Sequence, residues 1–432
     1  MIVLAGGDLV LPDRILSSAS LVIEDTRIAA LEAKAGIDPA GATTIDVREC
    51  YVVPGFIDVH VHGVEGIDTL DDGDPIAGIA SGLPRYGVTA FCPTTVACSP
   101  NALRGVLAKV GQARAARQPE QARVLPAHLE SNFINPEYRG AQPADCLRLP
   151  GPASAFANVG SQSDPTRQRW LDGPRPRTVP ADRKAGHYDS EGDFSARDIL
   201  DVIAASRPDV GIVTLAPELP GGIDLIRALV SAGHRASIGH SGATLDEAMA
   251  AIDAGARHAT HLFNRMAPLT HRAPGIAGAV LARHDVAAEL ICDGYHVHPA
   301  MARVAIASKG AGRIMAITDG TAGSGLNVGS NARLGGRKIR VTESAAVLED
   351  GTLAGSTLTM DRAFKTIVTA FDLSVADAAA LCSTTPAREL GLTGFGTLAA
   401  GAVADLVVLD RGFRVVRTFI DGREVYRSGT AA

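Results

Sequence analysis

Several features are scarce or missing in this sequence of 432 residues, and each absence excludes a class of protein. Aromatic residues make up only 4%, so we expect a mainly aliphatic core. Basic residues number 41 against 47 acidic ones, which argues against the basic surface of a nucleic-acid-binding protein. Uncharged apolar runs stay shorter than the roughly 18 residues of a membrane-spanning helix, so we expect no membrane partner.

The cysteines are also few and scattered. There are six of them, without a CxxC pair, and a disulfide framework is unusual in so large a chain. The first residues lack the basic segment and the long apolar stretch of a secretory signal. We therefore expect a reducing, cytoplasmic location.

Both ends of the chain are predicted to be rich in β-strands. Short runs typical of strands occupy residues 2–4, 19–24 and 43–47, and again 405–410 and 415–420. Asp421-Gly422 follows the last of these, and Asp-Gly between two β-rich runs predicts a tight hairpin. We expect residues 1–53 and 394–432 to form one small β-sandwich domain.

The middle of the chain, residues 54–393, alternates strand-like apolar runs with helical stretches such as 245–252. This alternation predicts parallel βαβ units, and eight such units make a (β/α)8 barrel. The eight runs cover residues 51–62, 87–95, 123–130, 211–218, 235–240, 258–264, 286–293 and 313–319. An open, doubly wound sheet is the alternative.

Polar residues at the ends of these runs favour the barrel. Nearly every run carries, at or near its end, a residue capable of chemistry: His62, Thr95, Glu130, Glu218, His240, His261, Asp293 and Asp319. In a barrel these strand ends meet at one mouth, where the active sites of such folds lie. In an open sheet they would be spread along an edge.

One segment interrupts the alternation of strands and helices. Residues 151–192 are rich in Arg, Pro, Ser, Asp and Gly and poor in aliphatic residues. Long loops inside compact domains are usually either functional or disordered. A surface insertion and a lid over the barrel mouth are the two interpretations.

Histidines and carboxylates at the strand ends predict a metal centre. His60 and His62 lie two positions apart on one strand, so both imidazoles face the same side. Glu130, His240 and His261 follow on later strands, and a carboxylate such as Glu130 is able to bridge two cations. Nitrogen and carboxylate ligands without thiolate fit zinc, and also manganese or iron. We expect one or two divalent metals per chain, with zinc favoured.

Asp319, at the end of the eighth run, is the predicted catalytic residue and a further metal ligand. A carboxylate facing activated water accepts its proton during attack and then delivers it to the leaving group. The six cysteines lie outside this set of residues and are interpreted as structural.

Motifs in a fixed order cover nearly the whole chain. They are PGFIDVHVHG at 54–63, HLE at 128–130, GHS at 239–241, THLFN at 260–264, DGYH at 293–296, TD at 318–319 and LAGS at 353–356. This set resembles the amidohydrolase superfamily and, within it, the N-acetylglucosamine-6-phosphate deacetylase family. The resemblance implies removal of the acetyl group from N-acetylglucosamine 6-phosphate, by attack of a metal-bound hydroxide with Asp319 as general base and acid.

The resemblance also implies roles for single residues. Glu130, His240 and His261 match the main metal ligands, while His60 and His62 match members of the family that hold a second metal. His296 matches a residue that contacts the substrate near the scissile amide.

Further positions match the part of the family's site that binds the sugar phosphate. Asn264 and the backbone of Arg265 match phosphate contacts. Arg272 matches an arginine that reaches the phosphate of the neighbouring subunit, which implies a homodimer. The remaining predicted substrate-binding positions are Ala141, Gln142, Leu353, Ala354 and Gly355.

Three departures from the family's pattern concern the substrate rather than the metals. Ser131-Asn132 follow Glu130 where the family usually has Gly-Pro, and Gln142 stands where the family usually has histidine. The third departure is the segment 151–192. Alternatives are therefore the same deacylation of N-acetylgalactosamine 6-phosphate, or of an unphosphorylated N-acyl amino sugar or amino acid. A barrel that binds without catalysis is a further alternative, disfavoured by the complete metal set.

Overall fold

A computed structural model describes residues 1–32, 41–151 and 194–429. The predicted insertion at 151–192 therefore lies, apart from Gly151, outside the described residues. Within these ranges we find no helix whose length and hydrophobicity would let it cross a bilayer. The chain divides into two compact units: Met1–Pro93, Gln112–Leu125 and Glu289–Ala432 form the first, and Thr94–Gly111 with Pro126–Ala288 form the second.

The elements follow in chain order. The strands are β1 (Ile2–Val10), β2 (Ile15–Glu24), β3 (Arg27–Glu32), β4 (Thr43–Asp46), β5 (Tyr51–Pro54), β6 (Phe56–Val61), β7 (Gly63–Val64), β8 (Ile67–Asp68), β9 (Val88–Thr95), β10 (Arg123–Val124), β11 (Ala127–Glu130), β12 (Val210–Leu215), β13 (Arg235–Ile238), β14 (His258–Ala259), β15 (Ala287–Ile291), β16 (Ile314–Ile317), β17 (Asn331–Leu334), β18 (Arg337–Val341), β19 (Ala346–Leu348), β20 (Leu406–Leu409), β21 (Val415–Ile420) and β22 (Arg423–Arg427). The α-helices are α1 (Pro75–Gly82), α2 (Pro100–Ala115), α3 (Ala196–Ala205), α4 (Gly222–Ser231), α5 (Leu245–Asp253), α6 (Gly275–Ala282), α7 (Pro299–Lys309), α8 (Met360–Thr369), α9 (Val375–Ala379) and α10 (Thr385–Leu390).

Both chain ends contribute to one sheet of the first unit, as the sequence predicts. Its strand order is β22-β21-β20-β5-β1-β2-β3, with β4 pairing β1. The predicted hairpin is present, because Asp421 and Gly422 join β21 to β22 with φ of 47° and 73°. Positive φ at both positions is typical of a turn that matches the twist of its strands. The aliphatic core of this sheet includes Leu4, Leu21 and Val408, all at 0% exposure.

The parallel strands form the predicted (β/α)8 barrel. Their order is β10-β9-β11-β12-β13-β14-β15-β16, with β6 pairing β9 in parallel. An isolated parallel bridge between Val61 and Gly320 joins the strand ends of β6 and β16, which belong to the first unit. The strands are buried on both faces, as all-parallel sheets are.

The structure corrects three of the predicted runs. Run 123–130 holds two strands, β10 and β11, which both pair with β9. Residues 51–62 hold two strands: β5 pairs antiparallel with β20 in the terminal sheet, and only β6 belongs to the barrel. Gly55 separates them, and its N–H donates to the carbonyl of Asp405 at 2.9 Å. The run 258–264 holds only the two-residue strand β14, because the chain turns at His261 with a positive φ of 28°.

Local signals also fix where the barrel helices begin. The helix predicted at 245–252 is α5, which begins after a capping box in which Thr244 and Glu247 bond each other's backbone N–H groups. Ser195 and Asp198 form the same box before α3. The start of α5 follows the end of β13 and the turn that carries His240.

Candidate metal centre and active site

Three predicted residues of the first unit come together, and we call them the His60 group: His60, His62 and Asp319. The two Nε2 atoms of the histidines lie 3.2 Å apart. Oδ1 of Asp319 lies 3.4 Å from Nε2 of His60 and 3.3 Å from Nε2 of His62. All three side chains are buried. The geometry places three potential ligand atoms around one point.

Three predicted residues of the second unit form a matching cluster, which we call the Glu130 group: Glu130, His240 and His261. Oε1 of Glu130 lies 3.0 Å from Nε2 of His240 and 2.8 Å from Nε2 of His261. The two Nε2 atoms are themselves 3.0 Å apart. These side chains are also buried, with exposures of 3–4%. Each group therefore combines two imidazoles with one carboxylate.

The hydrogen-bond chemistry of these groups fits a bound cation. Nδ1 of His240 faces the backbone carbonyl of Tyr138 at 2.8 Å, and a carbonyl only accepts. Nδ1 must then carry the proton, which leaves the lone pair of the neutral ring on Nε2. That lone pair points at a carboxylate oxygen and at a second imidazole nitrogen. A divalent cation satisfies such a buried set of acceptors, and His and carboxylate ligands are typical of zinc sites.

The backbone at three of these residues is unusual. His240, His261 and Asp319 have positive φ values of 48°, 28° and 47°. Non-glycine residues rarely adopt this region, which costs about 1–3 kcal/mol each and is concentrated at functional sites. Each residue lies just beyond a barrel strand, so the turn of the backbone directs its side chain toward the other members of its own group.

Buried hydrogen bonds hold the backbone on either side of the His60 group. Asp58 accepts from the N–H of His60 at 3.2 Å and from the hydroxyl of Thr318 at 2.5 Å. The N–H of Asp319 donates to the carbonyl of His60 at 3.0 Å, which ties β6 to the segment after β16. Burial raises the pKa of Asp58 to about 7. This network explains why an aspartate precedes the H-x-H motif by two residues.

Gln142 has a role that sequence reasoning missed. Its Nε2 donates to Oε2 of Glu130, and its Oε1 accepts from the buried N–H of Ala97 at 2.7 Å. The residue is 4% exposed. The prediction that Gln142 contacts the sugar stays a prediction. In the structure, both polar atoms of its amide form hydrogen bonds with other protein groups. The amide orients Glu130 so that Oε1 faces the two histidines.

Glu218, noted in the sequence only as a polar strand end, anchors the loop that follows His240. Its carboxylate accepts from the side chain of Asn135 at 2.9 Å, the hydroxyl of Ser241 at 2.7 Å and the N–H of Gly242 at 2.7 Å. Three donors occupy this carboxylate, so it acts as a structural anchor for a metal-ligand loop.

His296, the predicted substrate contact in the first unit, is held by Asp293. Oδ2 of Asp293 lies 2.6 Å from Nδ1 of His296, and Oδ1 accepts from the N–H of the same residue at 2.8 Å. The carboxylate favours the proton on Nδ1, which leaves the lone pair of the ring on Nε2. A strand-end aspartate three residues before a histidine was the available signal for this pair.

Two glycines bring backbone close to site residues. A Cβ on Gly355 (φ 64°) would lie 2.9 Å from the carbonyl oxygen of Asp319, so the predicted segment 353–355 packs directly against the predicted catalytic residue. A Cβ on Gly140 (φ 58°) would lie 2.5 Å from Nε of Arg265. The loop carrying Ala141 therefore contacts the guanidinium of a predicted phosphate-binding residue.

The other two predicted phosphate contacts differ in exposure. Asn264 is half-buried and its amide lies 3.5 Å from the carbonyl of Leu262, whereas Arg272 is exposed. An exposed guanidinium fits the predicted contact with a ligand outside its own subunit.

The cysteines have the environment of structural residues. Burial raises the pKa of the thiols of Cys98 and Cys146 to about 12 and about 11. Both are protonated at neutral pH and poor nucleophiles.

Comparison with known proteins decides the family. The sequence pattern of the amidohydrolase family matches residues 193–425, more than half of the chain. The chain belongs to the amidohydrolase family. It is 30% identical to N-acetylglucosamine-6-phosphate deacetylase of Bacillus subtilis over 98% of this chain and 96% of that protein. It is 32% identical to N-acetylgalactosamine-6-phosphate deacetylase of Escherichia coli O157:H7 over 94% of this chain and 95% of that one.

Solved structures agree with this family and with the barrel. A variant of N-acetyl-D-glucosamine-6-phosphate deacetylase from Mycobacterium smegmatis, in complex with N-acetyl-D-glucosamine-6-phosphate, is 31% identical to this amidohydrolase. The TM-score is 0.80, covering 98% of this chain and 99% of that one. The predicted superfamily, barrel and enzyme class are thereby confirmed.

Proposed function

We propose that this amidohydrolase removes the acetyl group of N-acetylglucosamine 6-phosphate with the help of divalent metals. The observation that carries the proposal is the pair of buried clusters, each with two imidazole nitrogens and a carboxylate oxygen turned toward one another. Relatives that match nearly the full chain are deacetylases of N-acetylamino sugar phosphates. Zinc fits the ligands best, with manganese or iron as alternatives.

His60, His62 and Asp319 would hold one cation, and Glu130, His240 and His261 another. A bound divalent cation supplies Lewis-acid chemistry: it lowers the pKa of water and polarises the amide carbonyl. The bridging role that the sequence suggests for Glu130 stays a prediction. Metal analysis of protein loaded with excess zinc should approach two per chain, and His60→Asn should lower it to one.

Asp319 moves the proton in the proposed reaction. Its carboxylate accepts a proton from the attacking water and delivers it to the amide nitrogen. The C–O bond forms first, as water adds to the amide carbon, and the C–N bond of the tetrahedral intermediate breaks once its nitrogen is protonated, so acetate and the free amino sugar leave. His296, held through Nδ1 by Asp293, binds the substrate near the amide with Nε2.

The phosphate end of the substrate is assigned to Asn264, Arg265 and Arg272. We include a homodimer in the proposal, because Arg272 is exposed and matches the arginine that reaches a neighbouring subunit. A cytoplasmic location is proposed from the scattered cysteines of the sequence.

N-acetylgalactosamine 6-phosphate is the second candidate substrate, favoured by the relative from Escherichia coli O157:H7. Acetate release from both sugar phosphates and from unphosphorylated N-acetylglucosamine, by zinc-, manganese- and iron-loaded protein, separates the candidates. We expect the highest kcat/KM for N-acetylglucosamine 6-phosphate. A preference for the galactose epimer or for an unphosphorylated substrate would contradict that assignment.

A further inference from the structure

Glu289 is a fully buried carboxylate on barrel strand β15, at 0% exposure. Its Oε2 lies 3.0 Å from Nδ1 of His60, whose side chain is also at 0% exposure. A buried carboxylate is costly unless hydrogen bonds or an opposite charge compensate it. Its place directly behind a predicted metal ligand therefore calls for an explanation.

The contact determines which nitrogen of His60 is available as a ligand. When Glu289 is ionised its oxygens only accept, and Nδ1 of His60 then donates to Glu289 and carries the ring proton. The lone pair then resides on Nε2, the atom that lies 3.2 Å from Nε2 of His62 and 3.4 Å from Oδ1 of Asp319. Glu289 thus aligns the ring and selects its tautomer.

In the Glu130 group, the protein group that orients a histidine ring through Nδ1 is uncharged. Nδ1 of His240 faces the peptide carbonyl of Tyr138 at 2.8 Å, which orients the ring without adding charge. With Glu289, the His60 group has a second carboxyl group beside it, in addition to that of Asp319. The difference between the two orienting partners makes their effects on the two metals separable by experiment.

We propose that Glu289 is a positioning residue for the metal held by His60, His62 and Asp319. It fixes His60 in the Nδ1–H tautomer and places a buried negative charge behind the ligand, which strengthens the attraction of Nε2 for a cation. The inference rests on the proposed metal-dependent function. Loss of such an outer partner typically weakens metal affinity about 10- to 100-fold.

The test measures metal affinity rather than activity. Metal-free protein is titrated with Zn²⁺ against a competing chelator, and bound zinc is counted after gel filtration. Glu289→Gln keeps the shape and an acceptor but removes the charge, and Glu289→Met removes both. We expect one of the two binding steps to weaken about 10-fold in the first variant and about 100-fold in the second. The other step should match that of the unaltered protein.

Two controls separate positioning from a general effect on the fold. Glu247→Gln changes another buried carboxylate, which caps α5, and should leave both zinc-binding steps unchanged. In the His60→Asn background, Glu289→Gln should have no further effect on zinc binding. An equal effect with and without His60 would mean that Glu289 supports structure only, and unchanged binding in both Glu289 variants would also overturn the proposal.

A measurement on the unaltered protein covers the case in which the variants do not fold. Long-range ¹H–¹⁵N spectra of the histidine side chains should show His60 with its proton on Nδ1, and a proton on Nε2 would overturn the proposal. The outcome is independent of the substrate assignment. Zinc binding that depends on Glu289, without acetate release from any sugar phosphate, would reject the proposed function and leave this inference standing.

Discussion

Replacing Gln142 by methionine tests how the Glu130 group is held. Methionine has a similar length but no amide, so Glu130 loses the donor to Oε2 and Ala97 loses the acceptor for its buried N–H. A hydrogen bond to a charged group contributes about 1.5–3 kcal/mol, and a buried orphaned donor costs about 1–3 kcal/mol. Together these predict a loss of about 2.5–6 kcal/mol, toward the lower end because the two contacts share one side chain.

The assay is urea denaturation of metal-free protein, together with zinc titration against a chelator. We expect Gln142→Met to lower the free energy of unfolding by the amount above and to weaken one zinc-binding step about 10- to 100-fold. Gln118→Met is the matched control, because that side chain is exposed and bonds only a nearby carbonyl. Its effect on stability should stay within about 0.5 kcal/mol.

Two further variants of Gln142 refine the result. Gln142→His supplies a ring N–H donor and should recover part of the zinc affinity that Gln142→Met loses. Gln142→Glu places a second carboxylate beside Glu130 and should lower the free energy of unfolding of the metal-free protein. The reasoning is refuted if Gln142→Met matches the unaltered protein in both unfolding free energy and zinc affinity.

Three other predictions follow from the site and the core. Asp319→Asn should keep the fold and lower the rate of acetate release by about 10²–10⁴, and near-normal turnover would show that another group moves the proton. Arg272→Ala should lower kcat/KM on the phosphorylated substrate about 10- to 150-fold, as loss of a charge-assisted bond worth about 1.5–3 kcal/mol predicts, with little change on the unphosphorylated analogue. An equal loss on both substrates would give Arg272 a structural role. Burial lowers the pKa of His258 to about 3, so this imidazole stays neutral in the folded protein. In the unfolded chain it binds a proton below about pH 6.5. Stability contributed by neutral His258 is therefore fully present above pH 6.5 and declines as pH falls toward 3, by about 2 kcal/mol at pH 5. Denaturation at pH 7 and pH 5 should show a smaller pH dependence for His258→Gln than for the exposed control His284→Gln, and equal dependence in the two variants would contradict this.

Some features follow from the sequence because their signals are local. The H-x-H spacing puts two imidazoles on one side of a strand whatever surrounds it. Asp421-Gly422 selects a tight hairpin turn, and Thr244 with Glu247 marks the start of a helix. Polar residues at the ends of apolar runs indicate a barrel mouth, since parallel strands all end at the same side. Local patterns thus predicted the candidate ligands and the fold class, and the structure divides those ligands into two groups.

Other features depend on the tertiary structure, because their contacts join distant parts of the chain. Glu289 pairs with His60 across 229 positions, and its only sequence signal is a charged residue inside an apolar strand. The bonds of Gln142 to Glu130 and Ala97 could not be predicted, because a pattern of residue types does not specify hydrogen-bond partners. The split of run 51–62 between two sheets follows from pairing with β20, more than 340 positions away. The amino-acid sequence by itself determined which residues can bind metal and move protons. Only the packing of strands distant in sequence decided which nitrogen of each histidine faces the other ligand atoms of its group, and which neighbours hold His60 and His240 in place.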